Sequence, residues 1–131
     1  MKVFRAIDTA ASGLTAHRVM MDVISENLAN VNTTRTPEGG PYRRKVPVFS
    51  EALSQAGVEV REIAQDETPP RLQYEPGHPD ADERGYVAYP NVSVVREMAD
   101  MMAASRAYEA NLETVKSAKS MWESAIDLLK G

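Results

Sequence analysis

All eight prolines of the chain (Pro37, Pro41, Pro47, Pro69, Pro70, Pro76, Pro79 and Pro90) fall between residues 37 and 90. Proline lacks a backbone N–H and clashes with the preceding helical turn, so long helices are confined to the two flanks. Both flanks carry helical spacing. Val3, Ile7, Ala10, Leu14, His17, Met21, Ile24, Leu28 and Val31 alternate steps of four and three, with His17 as the only polar member. Val94, Met98, Met101, Ser105, Tyr108, Leu112, Val115, Lys119, Trp122, Ile126 and Leu129 do the same, with Ser105 and Lys119 as exceptions. These are heptad seams, and they predict helices roughly 43 and 54 Å long.

Helices of that length do not wrap into a ball. The intervening residues let the chain return, so the expected architecture is mainly α: long N- and C-terminal helices paired as an antiparallel coiled-coil hairpin, with a short β/loop insertion between them. The boundaries read as 1–33 for the first helical half, 34–90 for the middle module and 91–131 for the second half, together one structural domain. Within the module, Tyr42 to Phe49, Val58 to Ile63 and the pair Leu72 and Tyr74 predict three short strands at best, as a meander or hairpin.

Composition narrows the function classes. A net charge of −4, with no block of five like charges, argues against nucleic acid as the main partner. With no cysteine there is no disulfide, thiolate metal site or thiol nucleophile. No run approaches the ~20 apolar residues of a membrane span, and Asp8 interrupts any cleavable secretory pattern.

Catalytic groups are equally sparse. His17 sits on a helical seam and His78 in a proline-flanked loop, each without a recognisable partner. His78, Asp80, Asp82 and Glu83 with Gly85 offer hard oxygen ligands, but a calcium loop starting at Asp80 would need an oxygen ligand at 84 and glutamate at 91. The chain has Arg84 and Asn91 there, so a solvated acidic turn is expected and no cofactor is implied. Off the second seam, Ala99, Ala103, Ala107, Ala110, Ala118 and Met102 extend the small or flexible surface. Either alanine stands there simply as the best helix former on a solvent face, or these positions pack sideways against other helices and, if the operation does not close, build a helical filament.

Three stretches carry a family resemblance: SENLANVNT (Ser25 to Thr33), TPEGGPYRRK (Thr36 to Lys45) and GYVAYPNVSVVREMADMMAASRAYEAN (Gly85 to Asn111). The first resembles the asparagine-bracketed helix end of axial flagellar rod and hook proteins. The other two resemble the proximal-rod members, and the resemblance spans nearly the whole chain outside residues 49–68. It implies a structural, non-enzymatic rod subunit of the bacterial flagellar basal body, spanning the periplasm and exported without signal cleavage. The implied partners are other rod subunits, the membrane-ring adaptor and the flagellar type III export apparatus, with self-association in a helical assembly. The family-motif residues here are Asn27, Asn30, Asn32, Arg106, Glu109 and Asn111.

Local chemistry adds further expectations. Asn27, Asn30 and Asn32 tolerate left-handed backbone and can bond orphan carbonyls, which suits a helix end. Ser93 or Asn91 is placed to cap the last helix. Arg106 and Glu109 stand three apart, able to pair along the helix or between subunits. Arg43, Arg44 and Lys45 form the densest basic cluster. They serve either as solvated charges on a strand edge or as contacts to Asp80, Asp82 and Glu83 of a neighbour. Two other classes remain as alternatives: a cytosolic helical adaptor or chaperone holding a partner helix in its seam, and a small metal-dependent enzyme resting on the His78 to Glu83 loop.

Overall fold

The computed structural model describes residues 2–52 and 57–131. Two helices dominate: α1, Lys2–Ala29, and α2, Val94–Lys130, roughly 42 and 55 Å long. They pack against each other along their length. Phe4 meets Trp122 with ring centroids 5.1 Å apart, Gly13 abuts Asn111, and Asn27 reaches Glu97. As the α1 number rises the α2 number falls, so the pair is antiparallel.

Along α1, Ala10 and Ile24 of the expected seam are buried and Val3, Ile7, Leu14, His17, Met21, Leu28 and Val31 are half-buried, while Ala16, Val23 and Asn27, off that seam, are buried as well. His17 is satisfied locally, its Nδ1 lying 2.7 Å from the Gly13 carbonyl oxygen.

The α2 seam is rotated from the expected one. Met101, Tyr108 and Val115 line it half-buried and Trp122 meets Phe4 at its exposed end, but the second column is Glu97, Ala104, Asn111 and Ala118, one residue earlier than Met98, Ser105, Leu112 and Lys119. Leu112 and Ile126 are half-buried flanks, whereas Val94, Met98 and Leu129 stand exposed, the last at 88%. The cause is steric. Alanine at 104 and 118 lets the helix axes come closer than methionine or leucine would allow.

Each helix end has a local reason. The Asn30 amide donates to the Glu26 carbonyl oxygen at 2.9 Å and closes α1. The Ser93 hydroxyl accepts from the Arg96 N–H and caps α2, while Asn91 is engaged elsewhere. Among the described residues no non-glycine has positive φ, so the asparagines do not end α1 through left-handed backbone.

The middle module has four strands, not three, in two separate ladders. Antiparallel β1 (Lys45–Glu51) and β2 (Val58–Gln65) run from Lys45 opposite Gln65 to Glu51 opposite Val58. A bulge after Val48 leaves Arg61 unpaired. Pro47 fits because both strands of a two-stranded sheet are edges. The second ladder joins β3 (Arg71–Tyr74) to β4 (Tyr86–Tyr89), from Arg71 opposite Tyr89 to Tyr74 opposite Tyr86. Gly85, at φ +84, starts β4 where a side chain would strike the Tyr74 ring at 2.8 Å. The first ladder rests on α1, Val58 N–H donating to Ser12 Oγ, whereas the second packs on no other regular element.

Candidate assembly site

A buried polar clamp ties the first ladder to both helices. Asn27 is 1% exposed and uses its whole side-chain amide. Its Nδ2 donates to the Lys45 carbonyl oxygen at 2.9 Å and to Glu97 Oε2 at 3.3 Å. Its Oδ1 accepts from Lys45 N–H at 2.9 Å and from the Tyr42 hydroxyl at 2.8 Å. Asn27 is therefore a bridge, not a stop signal. Glu97, 0% exposed, receives the Arg44 guanidinium on its other oxygen.

Arg44 also meets Asp66 at 3.3 Å and Asp100 at 3.7 Å, so three segments converge on one cation. Burial alone would lower its pKa, but the Glu97 and Asp66 carboxylates outweigh that and hold it above the ordinary value. Asp66 is held below the usual carboxylate range first by the Thr68 hydroxyl and N–H, with Arg44 adding to them. Burial pushes the Tyr42 hydroxyl up to about 12, with Glu26 and Glu97 adding to the shift. Among the described residues every buried side-chain nitrogen and oxygen has a partner, as the cost of an orphan demands.

The basic cluster is thus divided. Arg44 is consumed inside the chain and Lys45 pairs with Glu26, while Arg43 is exposed and makes no ion pair among the described residues. The acidic loop is divided too. Asp80 accepts from the Thr34 hydroxyl at 2.7 Å and pairs with Arg35, and these two hold its carboxyl below the usual range. Asp82 Oδ1 accepts from the N–H groups of Arg84 and Tyr86 at 2.9 Å, closing its own turn, and Glu83 is left exposed. His78 Nδ1 accepts from the Asp80 N–H at 3.0 Å. No cluster suited to a metal ion occurs among the described residues.

Of the family-motif residues, Asn27 and Asn111 face inward, Asn30 closes α1, and Asn32, Arg106 and Glu109 are exposed. Arg106 and Glu109 form no ion pair with each other. The roles of Tyr42 and Glu97 were missed because their partners are distant in sequence. The available signal was the 97–104–111–118 column, where a glutamate shares spacing with small residues.

Beside the clamp lies an open polar cleft of about 600 Å³, lined by Glu26 and Glu38 against Arg35, Arg43 and Lys45. Much of the exposed apolar surface is elsewhere, on the outside of α2. Val95 and Met98 with Met102 form one exposed stripe, and Met121, Leu128 and Leu129 form another nearer its end. Because the two helical seams fill each other, these stripes are surplus to the fold. No described helix is long and apolar enough to cross a membrane.

Residues 7–35 match the model of the flagella basal body rod protein family, and residues 83–128 match that of the flagellar basal body rod FlgEFG protein C-terminal. The chain is 45% identical to the flagellar basal-body rod protein FlgC of Borreliella burgdorferi, over the full length of both. It is 43% identical to FlgC of Aquifex aeolicus, over 99% of each chain. For FlgC of Salmonella typhimurium the identity is 44%, over 92% of this chain and 93% of that protein.

Proposed function

The chain belongs to the FlgC family of flagellar basal-body rod proteins and is a structural subunit of the rod, and we propose that it builds the proximal segment by packing the outer face of its helix pair against neighbouring subunits. The observation that carries this reading is the surplus apolar surface of α2, at Val95, Met98 and Met102 and again at Met121, Leu128 and Leu129. Exposed apolar stripes on a long helix call for partner helices. A repeated side contact that does not close propagates as a helix of subunits, which suits a tube.

In this reading residues 1–33 and 91–131 form the helical wall and residues 34–90 face outward. Arg43, Glu83, Arg106 and Glu109, exposed and without an ion pair among the described residues, supply charge contacts between subunits. The partners are other rod subunits, copies of the chain itself and the membrane-ring adaptor. The chain crosses the cell envelope through the flagellar export apparatus without signal cleavage and comes to span the periplasm. In this reading it acts as a structural part, without catalysis.

Photo-cross-linking in purified basal bodies tests the proposal. A photoreactive residue at Met98, Met102 or Leu128 is expected to capture other rod subunits, whereas one at Ala104 or Ala118, facing α1, captures none. Basal bodies that carry the chain but give no adduct from the exposed positions would overturn it.

A further inference from the structure

We infer that the contact of Asn27 with Glu97, with Arg44 held against it, selects the register in which α1 and α2 pair. Apart from the close fit of Asn111 against Gly13, the rest of the seam discriminates poorly. On α1 the positions 7, 14, 21 and 28 are Ile, Leu, Met and Leu, and on α2 the positions 101, 108, 115 and 122 are Met, Tyr, Val and Trp, with alanine at 104 and 118. Sliding one helix by seven residues replaces apolar side chains with apolar side chains.

The clamp does not survive that slide. Moved one way, Glu97 lands opposite Met20, a carboxylate in an apolar seam with no cation. Moved the other way, Asn27 faces Ala104 and Glu97 passes beyond the end of α1. Either shift strands a buried polar group, and a single buried polar position is a known means of fixing helix register at little gain in stability.

The cation is positioned by α1 and its ladder, the carboxylate by α2. Asn27 grips Lys45 through both its N–H and its carbonyl, so Arg44, one residue earlier, travels with α1. The two halves of the clamp meet in one register only. A competing account is that the β4–Pro90 connection sets the register by tethering α2, whose Asn91 Oδ1 accepts from the Arg44 N–H at 3.1 Å.

The absence of cysteine makes the test clean, because introduced pairs report alone. In the purified full chain, F4C with W122C reports the native register, and F4C with V115C or with L129C reports a one-heptad slip in either direction. With the clamp intact, a short thiol cross-linker is expected to join the native pair about tenfold more efficiently than either slipped pair. In the apolar clamp N27L/R44M/E97L, helicity is expected to persist while that preference falls to within about threefold. A preference that stays tenfold in the folded triple variant assigns register to the tether and overturns the inference. So do slipped pairs that react as well as the native pair with the clamp intact. If the triple variant loses helicity, N27A decides, since it keeps the Arg44–Glu97 pair. A preference at least about threefold lower supports the inference, and an unchanged one overturns it.

Discussion

Gly13 of α1 faces Asn111 of α2 so closely that a Cβ at position 13 would lie 2.7 Å from the Asn111 Nδ2. Alanine gains about 1 kcal/mol of helix propensity over glycine, against which the Asn111 amide must rotate away. G13A is expected to stay within about 0.5 kcal/mol of the parent, and G13A/N111A to exceed it by about 1 kcal/mol. Thermal unfolding followed by circular dichroism measures both. A loss above about 2 kcal/mol for G13A would show that the seam cannot widen there.

Neighbouring arginines are expected to behave very differently. R44M leaves the Glu97 carboxylate buried against only the Asn27 amide, a loss of about 3 kcal/mol. R43M removes an exposed charge and stays within about 0.5 kcal/mol. Urea unfolding of the two variants separates them, and equal midpoints would contradict the division of the basic cluster.

Tyr42 supplies an alkaline signature. Its hydroxyl pKa is about 12 in the fold and about 10 in an unfolded chain, so the stability it adds is complete below pH 10. That stability is lost as pH rises from 10 through 12. Y42F loses the bond to Asn27, about 1 kcal/mol at neutral pH, but escapes the alkaline decline. Stability curves of parent and variant that fall in parallel between pH 10 and 12 would refute the assignment.

Asp80 gives the opposite sign. Its carboxyl is held low by the Thr34 hydroxyl and by Arg35, so the strap between the two loops is present above the ordinary aspartate range and lost as pH falls through the folded value. Amide protection factors of residues 33–42 and 78–86, taken relative to the intrinsic exchange rate at each pH, are expected to fall on acidification, and in D80N to be low throughout. In R35A the Asp80 carboxyl resonance should titrate closer to an ordinary aspartate, and an unmoved titration would remove Arg35 from the account.

Leu128 and Leu129 separate folding from assembly. They are 84% and 88% exposed, so L128D/L129D is expected to leave helicity and unfolding temperature unchanged. In cells relying on this copy, the same variant is expected to be exported but not incorporated, and the cells not to swim. Full swimming would show that this end of α2 meets no partner.

The helices were legible because heptad spacing is local, although α1 also buries Ala16, Val23 and Asn27, which lie off the apolar column that the spacing picks out. In α2 the apolar reading favoured Met98 and Leu112 over Glu97 and Asn111. The choice was reversed by Arg44, more than fifty residues before Glu97, and by the absent side chain of Gly13, neither of which appears in a helical window. The fourth strand was within reach, since Tyr86–Tyr89 alternates between Gly85 and Pro90, but it needs Arg71–Tyr74 as a partner across an eleven-residue loop. The clamp was the least legible part. Asn27 reads as a helix stop until Tyr42, Lys45 and Glu97 are brought around it.

The second ladder enters and leaves the molecule at one point. Arg71 is paired with Tyr89, and just outside them the Asn91 amide donates to the Thr68 carbonyl oxygen at 3.1 Å. Paired strand ends of this kind lie only about 5 Å apart, so the ladder is a branch on a closed trunk. Its length can change by insertion at the turn between Tyr74 and Tyr86 without altering the path of either helix. The chain thus offers a socket for grafting, where an added domain would ride on an unchanged shaft.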